Sequence, residues 1–346
     1  MTYQITILPS GNQYTGKAYD TVLESAIAAG FNIPYGCKNG ACGSCKGKVL
    51  SGQVDYGDYA QGALTEADKL AGNALFCSAR PLSDLVIECR ELDSNMAVPR
   101  IIPARVERKE QLSHDVMALY LKLPSSEHLQ FKAGQYIEFL LKDGNRRAFS
   151  LANPPHEDNI LELHLRLIPS GQFTEYVFKE MPDKAIMRIE APLGSFYLRE
   201  DSEKPMIMIA GGTGFAPIKS IIEYMLHANI QRKIYLYWGA RALVDLYMPA
   251  LPTQWAAVNA HIEFIPVLSD AVPEDDWTGR KGFVHQAVLD DFAKNAMGDV
   301  RDYEVYCCGA PAMVEVAHNC FVTAGLPNDA FYSDAFSYAK PTSIAV

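Results

Sequence analysis

The chain has 346 residues, of which 49% are hydrophobic and 21% are charged, and its formal net charge is −10. This length allows two or three domains, and the excess of acidic residues argues against nucleic acid as a partner. No apolar run reaches the length of a membrane span, and residues 1–11 lack the basic segment and the apolar run of a signal peptide. We therefore expect a multidomain cytoplasmic protein without a membrane span.

Residues 1–93 open with a pattern of strands and one helix. Thr21 and Glu24 have the spacing of a capping box, which predicts that a helix begins there. Gly30 stands where that helix would end. Alternating or apolar runs predict strands at residues 3–8, 47–54 and 85–88.

Four cysteines dominate this region, three of them at C-x4-C-x2-C spacing and one after a longer gap: Cys37, Cys42, Cys45 and Cys77. Thiolate sulfur is the soft ligand of iron–sulfur clusters, and this spacing is that of the plant-type [2Fe–2S] pattern. Glycines within residues 36–47 allow the backbone to curl closely and to turn its N–H groups toward sulfur. A zinc site usually pairs two C-x2-C knuckles, and a disulfide set belongs to secreted proteins, so both alternatives are disfavoured.

This combination of strands, one helix and four spaced cysteines resembles the plant-type ferredoxin domain, a β-grasp fold of the α+β class. The resemblance covers residues 1–93 and implies a [2Fe–2S] cluster. Residues 92–103, polar and then proline-bounded, are predicted as a linker.

Residues 100–200 contain short β runs with few helices, which predicts a small barrel. The clearest runs are at residues 116–121, 136–141 and 161–165. Arg147, Phe149 and Ser150 form an R-x-[YF]-[ST] signature that resembles the flavin domain of the ferredoxin reductase superfamily. The resemblance implies that Arg147 holds the flavin phosphates, that Phe149 packs on the isoalloxazine and that Ser150 lies near flavin N5, as a catalytic residue.

A second stretch resembles the flavin motif in which a helix N-terminus receives the pyrophosphate: Gly171, Gln172, Phe173 and Thr174. Residues 192–196 match the motif that closes this barrel in the family. The resemblance therefore implies a six-stranded antiparallel flavin-binding β-barrel. FAD is preferred over FMN because it is the commoner cofactor in the family.

Residues 204–346 alternate between strand and helix, which predicts an α/β domain with a parallel sheet. An apolar strand at residues 206–210 runs into a G-G-T-G-x-x-P turn and then a helix, a geometry that suits nucleotide phosphate. The turn resembles that of the ferredoxin reductase NAD(P) domain, which implies cofactor binding by Gly211, Gly212, Thr213, Gly214 and Pro217.

A C-G-x-P-x-M motif follows the last predicted strand, and in the same family its first cysteine lies beside the nicotinamide. Here the motif comprises Cys308, Gly309 and Pro311, with Cys308 implied to be catalytic. Near the end of the chain, Asp334 and Phe336 resemble an E-x-F element that approaches the flavin and nicotinamide rings in relatives, which implies a catalytic role for Asp334. Asp334 is shorter than the usual Glu, so whether it reaches the same partners stays open.

The preference between NADH and NADPH depends on the residues that follow the second predicted strand of the nucleotide domain, residues 233–238. A carboxylate there favours NADH by bonding the ribose hydroxyls, whereas an arginine favours the 2′-phosphate of NADPH. This chain has both Asp245 and Arg241. The sequence favours NADH, with NADPH as the less favoured cofactor.

Over nearly its whole length the chain resembles the three-domain NAD(P)H reductases that serve oxygenases and deoxysugar dehydratases. The resemblance implies that electrons pass from NADH through FAD to a [2Fe–2S] cluster and on to a separate acceptor protein. The first expected acceptor is the oxygenase component of a multicomponent oxygenase. The alternative is the dehydratase partner of a CDP-6-deoxy-Δ3,4-glucoseen reductase. A non-enzymatic binding or redox-sensing module would show damaged flavin or nucleotide motifs, and these are intact.

Overall fold

A computed structural model describes residues 1–92, 96–294 and 297–336. The chain divides into two compact units, one holding Met1–Met96 together with the described residues from Asp334 onward, and the other holding Ala97–Ser333. The predicted flavin region and the predicted nucleotide region as far as Ser333 thus lie within the second unit. Their predicted boundary between residues 200 and 204 stays a prediction.

The N-terminal unit is a mixed sheet with two short helices. Its strands are β1 (Thr2–Leu8), β2 (Gln13–Lys17), β3 (Lys46–Ser51), β4 (Val54–Asp55), β5 (Asn73–Leu75), β6 (Arg80–Pro81) and β7 (Leu85–Glu88), and its helices are α1 (Val22–Ala28) and α2 (Glu66–Leu70). The five-stranded sheet has the order β2-β1-β7-β3-β5, in which β1 and β7 are parallel. The sheet and α1 enclose a core that includes Ile5, Ile87 and Phe76. The predicted capping box is confirmed, because Thr21 and Glu24 exchange hydrogen bonds at the start of α1.

The second unit begins with an antiparallel barrel. Its elements are β8 (Arg100–Gln111), β9 (Val116–Lys122), β10 (Tyr136–Leu140), β11 (Arg146–Ser150), β12 (Leu161–Arg166), α3 (Gln172–Lys179) and β13 (Ile186–Leu193). The six strands have the order β11-β10-β13-β8-β9-β12, and an antiparallel bridge between Leu151 and Leu163 joins the two ends. Alternate residues point inward, and Ile137, Leu119 and Ile189 are fully buried. The predicted six-stranded antiparallel barrel is confirmed.

Part of the predicted linker at residues 92–103 is wrong, because β8 already begins at Arg100. Pro103 suggested a break, but it lies on the exposed face and pairs with Arg188 of β13. The inward face is formed by Ile102, Ala104 and Val106, which alternate along the strand and are buried. An exposed proline does not end a strand when its missing N–H leaves no buried group unpaired.

The rest of the second unit is an α/β fold. Its elements are β14 (Met206–Gly211), α4 (Phe215–His227), β15 (Ile234–Ala240), α5 (Ala250–Val258), β16 (Ile262–Leu268), β17 (Arg280–Lys281), α6 (Val284–Ala293), β18 (Glu304–Gly309), α7 (Pro311–Thr323) and β19 (Phe331–Ala335). The sheet order is β17-β16-β15-β14-β18-β19, and β14 pairs in parallel with both β15 and β18. The strands β14 and β18 are neighbours in the sheet although they are far apart in the sequence. The strand order reverses between them, and nucleotides bind at this point in such folds. No helix in the described part of the chain is long and apolar enough to cross a membrane.

Candidate functional site

The four predicted cluster ligands converge in the N-terminal unit. Cys37, Cys42 and Cys45 lie in the irregular loop between α1 and β3, and Cys77 follows β5. The thiol of Cys37 is hydrogen-bonded to those of Cys42 and Cys77, and Cys77 is also hydrogen-bonded to Cys45. The four thiols are thus linked by pairwise contacts, Cys42 with Cys37, Cys37 with Cys77, and Cys77 with Cys45.

The loop backbone is wrapped around these sulfurs. The N–H groups of Ala41 and Cys42 both donate to Sγ of Cys37 at 3.3 Å, and the N–H of Gly40 donates to Sγ of Cys77 at the same distance. Such donors stabilise thiolates and influence the reduction potential of a bound cluster. Gly40 has φ +73°, and a Cβ at this position would lie 2.7 Å from the carbonyl oxygen of Asp58. The loop therefore requires glycine there.

The spread of the sulfurs fits two irons better than one zinc ion. Around a single tetrahedral zinc, with Zn–S bonds of about 2.3 Å, all four sulfurs would lie about 3.8 Å apart. In this structure no three of the four cysteine sulfurs lie within 4.8 Å of one another. The only group of three possible metal ligands that does so among the described residues is His114, Asp115 and Asp245. The hydrogen bond with Cys37 and burial raise the pKa of Cys42 well above its usual value, so metal loading must displace a proton there. The donor set fits a [2Fe–2S] cluster.

The first predicted flavin motif lies on β11 of the barrel. Arg147 and Phe149 share one face of this strand, and Ser150 ends it, buried and paired with Tyr136. The Phe149 ring lies 5.7 Å from that of Phe173, so the two motifs meet in space. This ring contact was not predicted, since the sequence assigned Phe149 to the flavin alone.

The second predicted flavin motif forms a helix N-terminus, as expected. Gly171 is the N-cap of α3, and no side chain caps the first turn. The Oγ1 atom of Thr174 instead donates to the carbonyl of Gly171 at 3.1 Å and accepts the N–H of Ile168 at the same distance. A helix start without a side-chain cap leaves N–H groups directed outward, which suits a phosphate.

The nucleotide turn is held against the end of β18. Gly212 to Gly214 form a 3-10 turn between β14 and α4, and Thr213 and Pro217 are buried within this segment. A Cβ on Gly214 would overlap the carbonyl of Cys308, and the Cα of Gly309 lies within 3.6 Å of a Cβ placed on Gly211. The two glycine-containing motifs are therefore in direct contact.

The C-G-x-P-x-M motif occupies the end of β18 and the start of α7. Cys308 is fully buried, and Pro311 is the first residue of α7. Asp334 lies in β19, and Phe336 follows the end of that strand. Their predicted position at the flavin and nicotinamide rings stays a prediction.

Arg241 and Asp245, which gave conflicting signals for nucleotide preference, are ion-paired with each other. The Nε of Arg241 lies 3.7 Å from Oδ2 of Asp245, and the Arg241 side chain is 71% exposed whereas that of Asp245 is 6% exposed. Asp245 also accepts a hydrogen bond from the N–H of Ala242 at 3.1 Å and lies 3.7 Å from Nε2 of His114. The carboxylate thus holds the turn after β15 and partly neutralises Arg241.

Sequence reasoning missed Arg166, the last residue of β12. Its guanidinium lies 3.4 Å from where a Cβ of Gly212 would stand, and its Nε and Nη2 atoms are buried without a hydrogen-bond partner. Its Nε is 3.5 Å from a carboxylate oxygen of Asp115. A planar cation with unused donors beside a phosphate-binding turn is suited to the pyrophosphate of a nucleotide. The only sequence signal was its position at the end of a strand, just before the second flavin motif.

The comparisons with known proteins divide the chain into three matched regions. Residues 5–82 match a 2Fe-2S iron-sulfur cluster binding domain, residues 103–197 an oxidoreductase FAD-binding domain, and residues 208–319 an oxidoreductase NAD-binding domain. These matches include all four cluster cysteines and both flavin motifs.

Relatives match the chain from end to end. It is 36% identical over 341 residues to the CDP-6-deoxy-L-threo-D-glycero-4-hexulose-3-dehydrase reductase of Yersinia pestis, covering 98% of this chain and 100% of the relative. It is 33% identical to reductase component 1 of terephthalate 1,2-dioxygenase from Comamonas sp, covering 99% of both. Among solved structures, an Amycolatopsis cytochrome P450 reductase is similar with a TM-score of 0.78 and 32% identity, covering 98% of this chain and 100% of that one.

Proposed function

This chain belongs to the family of NAD(P)H-dependent reductases that carry a [2Fe–2S] ferredoxin domain, an FAD-binding domain and an NAD-binding domain, and we propose that it draws its electrons from NADH and delivers them to the oxygenase component of a multicomponent oxygenase. It is a flavin iron–sulfur oxidoreductase that binds FAD, NAD(H) and a [2Fe–2S] cluster. The observation that carries the proposal is the joint presence of four converging thiols and of intact flavin and nucleotide motifs in one chain.

The residues around the flavin bind and orient rather than act as nucleophiles. When bound, FAD supplies the step between two-electron hydride chemistry and single-electron transfer to the cluster. Arg147 and the start of α3 provide positive charge and N–H donors for its phosphates. Ser150, as the buried last residue of β11, can present a short hydroxyl to the flavin ring without blocking the approach of the nicotinamide.

The nucleotide residues hold the phosphates and orient the nicotinamide. The N–H groups of the Gly211–Gly214 turn and the guanidinium of Arg166, which lie beside each other, would bind the pyrophosphate. Cys308 and Gly309 contact that turn and form the wall against which the nicotinamide would lie. Cys308 is fully buried, so its side chain would support this wall and exclude water from behind it.

We favour NADH because acidic groups surround the end of β15. Asp245 and Asp275 accept hydrogen bonds from the N–H groups of Ala242 and Leu243, beside Arg241. These carboxylates would repel a 2′-phosphate, whereas ribose hydroxyls could donate hydrogen bonds to them. The test is the ratio of kcat/KM for NADH to that for NADPH. Asp245→Asn should shift this ratio toward NADPH by about 10-fold, and Arg241→Ala should not. An unchanged ratio in Asp245→Asn would contradict the proposal.

The similarity of this chain to reductases that serve a dioxygenase and a cytochrome P450 supports an oxygenase as the acceptor. The terephthalate dioxygenase component and the cytochrome P450 reductase both align with nearly the whole chain. The test uses protein reduced anaerobically with NADH, to which fractions of the host cell extract are added. A fraction that turns over only with oxygen and an aromatic or hydrocarbon substrate supports an oxygenase partner.

A second candidate acceptor is a dehydratase of deoxysugar synthesis. It is favoured by the higher identity, 36%, to the hexulose dehydrase reductase. In the same experiment, a fraction that reoxidises the cluster without oxygen and requires a nucleotide sugar would support this acceptor and contradict the oxygenase. None of the eight cysteines, all of which lie among the described residues, forms a disulfide, which supports the cytoplasm as the place of action.

A further inference from the structure

A buried polar bridge joins the barrel to helix α4 within the second unit. It is made by two consecutive residues of α4, Lys219 and Ser220, of which Lys219 is 7% exposed and Ser220 is fully buried. The Nζ of Lys219 donates to the carbonyl of Ala152 at 3.1 Å, and the Oγ of Ser220 donates to the carbonyl of Asn153 at 2.7 Å. Two neighbouring carbonyls of one loop are therefore held by two neighbouring side chains of one helix.

The position of this bridge relates it to both cofactor motifs. Ala152 and Asn153 lie just after Ser150, the last residue of the first flavin motif. Lys219 and Ser220 lie in the first two turns of α4, directly after the nucleotide turn that ends at Gly214. The bridge therefore fixes the backbone that follows the flavin motif to the helix that follows the nucleotide turn.

Lys219 is held in its charged form by two carboxylates. Its Nζ lies 3.1 Å from Oε2 of Glu162 on β12 and 2.9 Å from Oε2 of Glu223 on α4. Burial alone would lower the pKa of Lys219, but the two carboxylates outweigh it and raise that pKa. A buried ion pair of this kind adds little net stability compared with apolar packing, so its geometric restraint is its clearer contribution.

The same network reaches the nucleotide turn from a second side. His164 bonds Glu162 through Nε2 and the hydroxyl of Tyr247 through Nδ1, each at 2.9 Å. The Tyr247 ring packs edge-on against Trp238, whose Nε1 donates to the carbonyl of Gly212 at 3.0 Å. Hydrogen-bonded and packed groups thus run without interruption from the loop after the flavin motif to the glycine turn.

The geometry points to Lys219 as a positioning residue for hydride transfer, which sets the distance and angle between the nicotinamide and the flavin by clamping the loop at Ala152 and Asn153 to α4. This role rests on the proposed assignment of the flavin and nucleotide motifs. The Nζ of Lys219 contacts groups of the protein itself, at Ala152, Glu162 and Glu223, so it would act through the loop and not on the rings. Small displacements of reacting groups slow transfer steeply, by up to about 100-fold for 1 Å, so the clamp acts on rate more than on affinity.

The test compares Lys219→Met with Lys219→Arg and with the control Lys233→Met, which removes a half-exposed lysine 3.7 Å from Glu263. Anaerobic stopped-flow reduction of the bound flavin gives the limiting rate and the Kd for NADH separately. In Lys219→Met we expect a limiting rate about 10–30-fold lower with Kd changed by less than about 3-fold. Lys219→Arg should recover most of the rate, and Lys233→Met should match the wild type.

A second measurement does not depend on enzyme activity. Hydrogen exchange of the protein as purified, without NADH, should show residues 150–156 exchanging about 10-fold faster in Lys219→Met than in the wild type. If wild-type flavin is reduced by neither NADH nor NADPH, the proposed function fails, and the exchange result still decides whether the clamp exists. An unchanged limiting rate, or equal losses in rate, affinity and FAD content, would overturn the positioning role.

Lys219→Met leaves Glu162 and Glu223 without their cation, which can prevent folding. Ser220→Ala then provides the test, because it removes a single hydroxyl and keeps the ion pairs. We expect a 3–10-fold lower limiting rate with an unchanged Kd, and faster exchange confined to residues 150–156. Wild-type behaviour in both measurements would contradict the clamp.

Discussion

The cluster loop and the nucleotide site are built in opposite ways. The cluster loop has no regular structure between α1 and β3, and its backbone N–H groups themselves point at the sulfurs of Cys37 and Cys77. The proposed nucleotide site lies at the ends of β14 and β18. Two side chains of the barrel approach this region, since Arg166 lies beside Gly212 and Glu162 is ion-paired with Lys219 of α4. Three of the four cluster ligands come from one loop, whereas the nucleotide site is assembled from several distant segments.

This difference determines how each site should respond to mutation. A cluster needs all of its ligands, so losing one thiolate removes the function altogether. A nucleotide site distributes binding over several groups, so losing one group weakens it by a measurable factor. The largest effect is therefore expected from the loss of a cluster ligand, and smaller effects from the loss of single groups of the nucleotide site.

Cys42→Ser should abolish electron delivery to an acceptor protein, because a hydroxyl replaces a soft thiolate ligand. Flavin reduction by NADH should continue at the wild-type rate. Visible absorption and iron content report the cluster, and stopped-flow absorption reports the flavin. The control is Cys320→Ser, which changes a half-buried thiol on α7. Full cluster content in Cys42→Ser would show that the ligand set is different.

Gly214→Ala should lower kcat/KM for NADH by about 100-fold, because the new Cβ would overlap the carbonyl of Cys308 and displace the turn. Cluster and FAD content should be retained. Gly282→Ala is the control, since a Cβ there has nothing within 4 Å, although its φ of +105° costs some stability. Steady-state kinetics with NADH that match the wild type would mean that the turn does not contact the nucleotide.

Arg166→Met should raise the Kd for NADH by about 10-fold, because it removes a half-buried cation whose buried Nε and Nη2 atoms lack hydrogen-bond partners beside Gly212. FAD content should be unchanged. Anaerobic titration of the flavin spectrum measures this Kd. Arg188→Met serves as the control, since Arg188 lies on β13 and pairs with Pro103. Equal affinity in Arg166→Met and wild type would exclude a phosphate contact.

His164 should make stability fall as pH is lowered, by an amount on the order of a few °C in Tm between pH 7 and pH 5.5. Burial lowers its pKa, despite the hydrogen bond with Glu162, so the folded chain binds this proton more weakly than the unfolded chain. Lowering the pH below about 6.5, the pKa of histidine in an unfolded chain, therefore favours unfolding. Thermal unfolding of His164→Gln should depend less on pH than that of the wild type or of the exposed control His128→Gln. The same dependence in all three proteins would contradict this account.

Local motifs allowed much of the fold to be predicted. The capping box at Thr21, the strand at residues 206–210 and the helix start at Gly171 depend on neighbouring residues, and the structure confirms these elements. The four cysteines were recognisable because a cluster requires fixed spacing. Three thiols from one loop made the pattern visible without any knowledge of the fold.

Groups that depend on distant partners could not be predicted. Arg166 acquires its meaning only beside Gly212, and Lys219 only where α4 meets the loop after β11. Neither belongs to a short motif, since the partners lie more than forty residues away along the chain. The start of β8 was missed for a related reason, because only its pairing with β13 shows that Pro103 lies within a strand.

The most direct test of the account is a single-turnover experiment on the intact protein without oxygen. One equivalent of NADH is mixed with the oxidised protein, and flavin and cluster absorption are followed together. The account predicts that the flavin signal bleaches first and that the cluster signal bleaches afterwards, as electrons move on to the cysteine-bound irons. If NADH is consumed while the cluster stays oxidised, electrons do not leave through the four-cysteine site.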